Sequence, residues 1–325
     1  MRKTALPALL AAAALLLTAC GTTEDAGDAP SSSSSASADG PITITDDRGT
    51  VELDGPASNV VSLEWGLTEN LLSLGVTPVG AADVTGYNTW ATAEPLDEST
   101  PDVGFRGEPS LDAIAALEPD LVVTTTDLPA EVIEQIEAEY PVIALRGSDA
   151  TDPIGKMRST LEILGEATGT SEAADAALAD FDTKVEEAVA QLDEAGLAGA
   201  SFTMADGWIA DGTVSIRMYT PGSFFGAVAA EVGLTNAWTG EGDPDYGLAQ
   251  TDVEGLTSLG DIHFLYVASG DDDPFKNGLA GNAIWEQLPF VAAGNTTRLP
   301  DGIWMFGGPA SASAYIDAIV DALTA

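Results

Sequence analysis

The sequence predicts an α/β protein of two Rossmann-like α/β lobes joined by one long helix. Three observations carry this. Short apolar runs alternate with segments whose apolar residues recur at helical spacing, the pattern of parallel sheets covered by helices. One central stretch, Glu172 to Leu192, keeps a single helical period with no proline or glycine inside it. The halves on either side echo each other. Leu111-Asp112-Ala-Ile114-Ala-Ala-Leu117 precedes Asp120-Leu-Val-Val123, and Val253-Glu254-Gly-Leu256-Thr-Ser-Leu259 precedes Asp261-Ile-His-Phe264.

The chain opens Met1-Arg2-Lys3, runs apolar from Ala5 to Leu17 and reaches Thr18-Ala19-Cys20-Gly21. Residues 1–19 therefore read as a signal peptide, too short to be a membrane span. Leu17-Thr-Ala-Cys20-Gly resembles a bacterial lipoprotein signal. Cys20 is the only cysteine, so it has no internal disulfide partner, and it stands where a lipid-bearing cysteine becomes the mature N-terminus. Residues 20–40, with the run Ser31 to Ser35, read as a flexible tether that cannot build a core.

The first lobe is expected over 41–168. Val60-Val61-Ser62-Leu63 reads as a strand, and Leu67, Leu71, Leu72 and Leu74 as a helix closed by Gly75. Val76 to Gly80 reads as the next strand. Ser110 caps a helix carrying Leu111, Ile114 and Leu117, with Asp112 in its first turn. Leu121–Val123 and Val142–Leu145 read as buried strands around a helix from Ala130 to Glu139. Residues 169–197 form the connecting helix, ended by Gly196. The second lobe, 198–325, starts with strands at Ser201 to Asp206 and Val214 to Arg217, joined through turns at Asp206-Gly207 and Asp211-Gly212. Pro221-Gly-Ser223 opens a helix, Ile262 to Val267 is a buried strand, and Tyr315 to Leu323 is the closing helix.

Eleven Lys plus Arg face fifty-two Asp plus Glu, a net charge of −41. Nucleic acid is excluded as a partner, because phosphate binding needs clustered cations. The one histidine, His263, lies in an apolar strand and reads as a hydrogen-bonded core residue. With one His and no free Cys, a tetrahedral zinc site is hard to build. There is no nucleophile elbow and no phosphate loop. Asp271-Asp-Asp273 lacks the spacing of a calcium loop and reads as a solvated turn. No enzyme is indicated.

Arg106 stands out in a chain so poor in cations. It sits between glycines in Gly104-Phe105-Arg106-Gly107, where backbone can approach a ligand closely and a guanidinium can offer a fixed fork of donors. Two readings stay open: an ion pair with Glu108 or another acid, or a ligand contact. Trp65, Tyr87, Trp90, Tyr219, Tyr246, Trp304 and Phe306 lie in or beside expected loops and suit a bulky, partly apolar ligand with a few oxygen acceptors.

Most of these residues fall in longer matches: Val61-Ser-Leu-Glu-Trp65, Tyr87-Asn-Thr-Trp90, Asp102-Val-Gly-Phe-Arg-Gly-Glu-Pro-Ser110, Pro221-Gly-Ser-Phe-Phe225, Trp285-Glu-Gln-Leu-Pro-Phe-Val291 and Ile303-Trp-Met-Phe-Gly307. Over nearly all of the chain after the tether they resemble the ferric-siderophore-binding proteins of bacterial ABC importers, the ferric-hydroxamate type in particular. The resemblance implies the two-lobed, helical-backbone periplasmic-binding-protein fold. It implies that Arg106 bonds hydroxamate oxygens, that Trp90 and Tyr246 wall the pocket from opposite lobes, and that Trp304 and Phe306 complete it. Where the family often has a tyrosine after Leu121-Val-Val-Thr-Thr, this chain has Thr126 and Asp127.

Iron would be held by the siderophore, with no protein metal ligand and no cofactor except lipid on Cys20. The scarcity of cations disfavours an anionic catecholate complex and favours a hydroxamate such as ferrioxamine or ferrichrome. The implied partners are an ABC permease with its ATPase, docked through one acid per lobe, Asp112 and Glu254. The membrane would be reached only through the lipid, on the outer face of the cell membrane, with the protein acting as a monomer. Two alternatives stay open: haem or cobalamin on the same fold, with Tyr87, Tyr219 or Tyr246 as an axial ligand for haem, and a surface sensor lipoprotein.

Overall fold

Two separate sheets organise the chain in the computed structural model, which describes residues 40–325 except Asp211. The expected signal peptide, Cys20 and all but the last residue of the tether lie outside the described residues. Both sheets belong to one compact body.

The chain enters through the hairpin β1 (Ile42–Thr45) and β2 (Thr50–Leu53). Then come β3 (Val60–Ser62), α1 (Trp65–Ser73), β4 (Gly80–Ala81) and α2 (Val84–Trp90). The short hairpin β5 (Gly104–Phe105) and β6 (Glu108–Pro109) leads to α3 (Leu111–Ala115). Next are β7 (Leu121–Thr125), α4 (Ala130–Glu137), β8 (Val142–Leu145) and α5 (Pro153–Thr168). The first sheet is parallel, in the order β4-β3-β7-β8.

Its strands are buried throughout and mostly apolar because both faces are covered. Val60, Leu121, Val123, Ile143 and Leu145 turn toward α1 and α5, packing with Leu67, Leu71, Leu161 and Leu164. Val61, Val122, Val142 and Ala144 turn the other way, onto Ile114, Ile133 and Ile136. The expected strand Val76 to Gly80 is displaced. The Val76 N–H bonds back to Leu71 O to close α1, and Pro78 has no N–H to donate, so pairing starts only near Gly80.

The long helix is α6 (Ser171–Glu194), burying Ala174, Leu178, Phe181, Ala188 and Leu192 along one face. Beyond it come β9 (Ser201–Ala210), β10 (Thr213–Tyr219), α7 (Phe224–Glu231), β11 (Thr235–Asn236) and β12 (Leu248–Thr251). They are followed by β13 (His263–Tyr266), α8 (Ala283–Gln287), α9 (Pro289–Ala292), β14 (Thr296–Arg298) and α10 (Pro309–Thr324).

The second sheet runs β12-β10-β9-β13-β14, with β11 also on β9. It is mixed: β9–β10 and β10–β12 are antiparallel, the other pairs parallel. Asp206-Gly207 is therefore no turn. Asp206 lies inside β9 opposite Arg217, and the chain reverses at Gly212, with φ of 77°. Asp273 is no solvated turn residue either. It is buried, and accepts from Tyr266 Oη at 3.1 Å and Lys276 N at 2.8 Å. His263 is half-buried at the start of β13. Among the described residues no helix is long and apolar enough to cross a membrane.

One contact pins the two halves together. Helix α10 has no side-chain cap of its own. Glu69 of α1, fully buried, supplies one: Oε1 accepts from Gly308 N at 2.7 Å and Ser311 N at 3.1 Å, and Oε2 accepts from Ser311 Oγ. Burial pushes the Glu69 carboxyl up to about 7 from an ordinary 4.5, although Ser311 and the Gly308 N–H pull it down. A raised folded-state value means that protonated Glu69 contributes stability present below about pH 4.5 and lost as pH rises through about 7.

Gln fits the same bonds, its oxygen on the two N–H groups and its NH2 toward Ser311. Urea unfolding at several pH values will show a flatter stability profile for Glu69→Gln than for wild type between pH 4.5 and 7. Parallel profiles would remove Glu69 as the titrating group. Glu69→Ala will cost about 3 kcal/mol near pH 4.5, because two helix-start donors and a cavity are left behind, and the cost will shrink as pH rises through about 7.

Candidate functional site

The carboxyl end of β3 delivers Glu64 and Trp65 to the cleft between the sheets, at the start of α1. The β5–β6 hairpin delivers Arg106. Gly104 makes that tight turn possible, with φ of 98° and no room for a Cβ beside Glu108 O. The Arg106 guanidinium lies over the Trp65 ring, its Cζ 4.0 Å from the centroid, and 5.1 Å from that of Trp304. Its Nη1 donates to both oxygens of Glu64 at 2.8 and 3.0 Å. Among the described residues no acceptor engages its Nε or Nη2, so part of the donor fork is left for a ligand. Both readings of Arg106 thus hold at once, with Glu64 rather than Glu108 as the ion-pair partner. Burial raises the Glu64 carboxyl, with Arg106 opposing.

Trp304 and Phe306 follow β14, on the segment that Glu69 anchors from behind. Trp65 meets Trp304 edge to face at 4.9 Å, Trp304 meets Phe306 at 5.3 Å, and Phe306 meets Tyr246 at 5.1 Å. Two cavities flank this wall, of about 470 and 380 Å³, and Arg106, Arg217, Trp304 and Phe306 line both. Glu64, Asp127 and Tyr246 belong to the larger; Trp65 and Trp90 belong to the smaller.

Two expected ligand contacts are not on the cavity walls. Tyr87 is fully enclosed in the core, and its hydroxyl donates to Glu94 O at 2.5 Å; an internal acceptor lets the whole ring be buried. Tyr219 is also fully enclosed. Its hydroxyl donates to Asp206 at 3.1 Å and accepts from Arg217 Nη2 at 3.2 Å, so it orients the pair behind the wall.

Sequence reasoning passed over Arg217, which donates through Nε to Asp206 at 2.9 Å and also pairs through Nη2. The signal was a second isolated cation in an apolar strand, legible only once β9 and β10 are set in antiparallel register. Arg146 and Lys156 were missed as well. They enter the larger cavity wall from β8 and α5, paired with Asp149 at 2.9 Å and Asp47 at 2.6 Å. Asp112 and Glu254, the expected docking acids, are both exposed.

The sequence pattern of the periplasmic binding protein family matches residues 60–302. The iron(3+)-hydroxamate-binding protein FhuD of Escherichia coli K12 is 26% identical, with 82% of this chain and 87% of that protein covered. A Bacillus subtilis protein named "Probable siderophore-binding lipoprotein YfiY" is 24% identical over 94% and 92% of the two chains. The crystal structure of Vibrio cholerae FhuD bound to Fe3+-Desferal superposes with a TM-score of 0.73 at 26% identity, covering 82% of this chain and 98% of that one. These relatives are binding proteins, not enzymes. With three quarters of its length inside the family pattern and a two-sheet α/β structure that superposes on a member, the chain belongs to the periplasmic binding protein family.

Proposed function

We propose that this protein captures a ferric siderophore outside the cytoplasm, a hydroxamate complex in the first instance, and hands it to an ABC permease and its ATPase. The observation that carries the reading is Arg106, held between Trp65 and Trp304 with donors unspent, on the wall of a cavity large enough for a small ferric complex. A trishydroxamate already fills iron's six positions with oxygen, so the protein need only read the outside of the complex. Arg106 would donate to its oxygens, and Trp90, Tyr246, Trp304 and Phe306 would cover its aliphatic arms. Relatives named for hydroxamate and siderophore binding support this ligand class.

In this reading 41–168 and 198–325 are the ligand-facing lobes and 169–197 the connector. Cys20 carries the lipid that ties the monomeric protein to the outer face of the cell membrane. The haem alternative loses two of its three candidate axial ligands, since Tyr87 and Tyr219 are enclosed and hydrogen-bonded.

Tryptophan quenching of the tether-free protein tests the ligand. Ferrioxamine B or ferrichrome will quench saturably, haemin and cobalamin will not, and Arg106→Ala will weaken the hydroxamate by about 10- to 100-fold. Quenching by haemin or cobalamin alone would keep the fold and overturn the ligand. For docking, we propose Asp112 and Glu254, one exposed acid on each lobe. Charge reversal at both, Asp112→Lys with Glu254→Lys, will abolish cellular uptake and leave affinity in solution unchanged; surviving uptake would overturn the assignment.

A further inference from the structure

The charges on the larger cavity wall are not evenly balanced. Six charged side chains line it: Glu64, Arg106, Asp127, Arg146, Lys156 and Arg217. Five of them sit in ion pairs: Glu64 with Arg106, Arg146 with Asp149, Lys156 with Asp47, and Arg217 with Asp206. Asp127 alone has no cation within ion-pair distance among the described residues. Its hydrogen-bond partner is the neutral hydroxyl of Tyr246, reaching across from the other lobe to Oδ2.

That contact is built into the wall. A Cβ at position 147 would lie 2.0 Å from Tyr246 Oη and 2.9 Å from Asp127 Oδ2, so Gly147 leaves the slot the pair occupies. The Tyr246 ring is braced on Phe306. Burial, and then Asp127 itself, hold the Tyr246 hydroxyl in its protonated form, so it stays a donor and carries no countercharge. Arg106, on the same cavity wall, is already paired with Glu64, and Arg146, next to Gly147, with Asp149 and Asp245. Among the described residues, Asp127 is therefore the one charged side chain on this wall that sits in no ion pair.

We propose that Asp127 is a specificity-determining residue of the cavity, which takes a cationic arm of the bound ferric complex and so favours ligands with a free ammonium group over neutral or anionic ones. The inference rests on the hydroxamate reading above and narrows it. Arg106 and the tryptophans would hold the iron-bearing part, common to all hydroxamates, while Asp127 distinguishes among them by the charge of what extends from it. A carboxylate so placed also repels complexes that arrive with negative charge.

Ferrioxamine B supplies the test, because acetylating its terminal amine removes the positive charge and leaves the iron centre intact. Quenching titrations with the free and acetylated forms measure the preference directly. Wild type will bind the free amine about five- to tenfold more tightly at low salt, a partly exposed ion pair being worth roughly 1 kcal/mol. The preference will shrink as salt is raised. Asp127→Asn will bring the ratio to about one, whereas Tyr246→Phe, which frees the carboxylate, will keep it.

Equal, saturable binding of both forms by wild type would overturn the role of Asp127 and leave the hydroxamate reading standing. A ratio unchanged in Asp127→Asn would do the same. Failure of both forms to bind would overturn both.

Discussion

The buried Glu69 carboxylate is the constraint on which the cleft depends. It is fixed in α1, and it grips the start of α10, more than two hundred residues away along the chain. The segment just before that helix carries Trp304, Met305 and Phe306. Holding Gly308 and Ser311 in place therefore sets the aromatic wall between the two cavities. The approach is close enough that a Cβ on Gly66 would meet Phe306 O at 2.4 Å. Wall and arginine are thus referenced to the same helix: α1 begins at Trp65, on which Arg106 lies, and continues to Glu69. A charge is an expensive group to bury, and the helix start offsets part of the cost with donors that would otherwise lack partners.

Around this anchor the protein gathers the few cations it has. The chain's overall charge of −41 suggests a surface hostile to anything anionic, yet four of the nine described Lys and Arg line a single cavity. Each is held by an acid, which fixes its position more than it supplies field. The cavity is a place of oriented donors and aromatic faces, and among the described residues Asp127 is its one charged side chain outside an ion pair. Net charge governs the approach of a ligand from a distance, while the local pairs govern what is read on contact.

Much of the fold could be read from the sequence because hydrophobic patterning is set by burial, and burial is what the sheets and long helices share. The runs Val60–Ser62, Leu121–Thr125 and Val142–Leu145, and the uninterrupted α6, follow from composition and period alone. Misreadings fell where a local signal competed with a tertiary one. Asp206-Gly207 has the chemistry of a turn, but its carboxylate is wanted by Arg217 across the hairpin. Tyr87 and Tyr219 have the look of pocket aromatics, but each hydroxyl has an internal partner that lets the ring sink into the core. Arg106 was legible because glycines flank it in a chain with few cations. Arg217, Arg146 and Lys156 were not, because only the folding of distant strands and helices brings them to one wall.

Crystals grown with ferrioxamine B would test the central claim most directly, through the anomalous signal of iron. The account predicts one iron in the cleft, with Nε or Nη2 of Arg106 within hydrogen-bonding distance of the ligand's hydroxamate oxygens and Trp304 and Phe306 against its arms. Iron bound elsewhere on the surface, or a cleft left unchanged at saturating ligand, would contradict it.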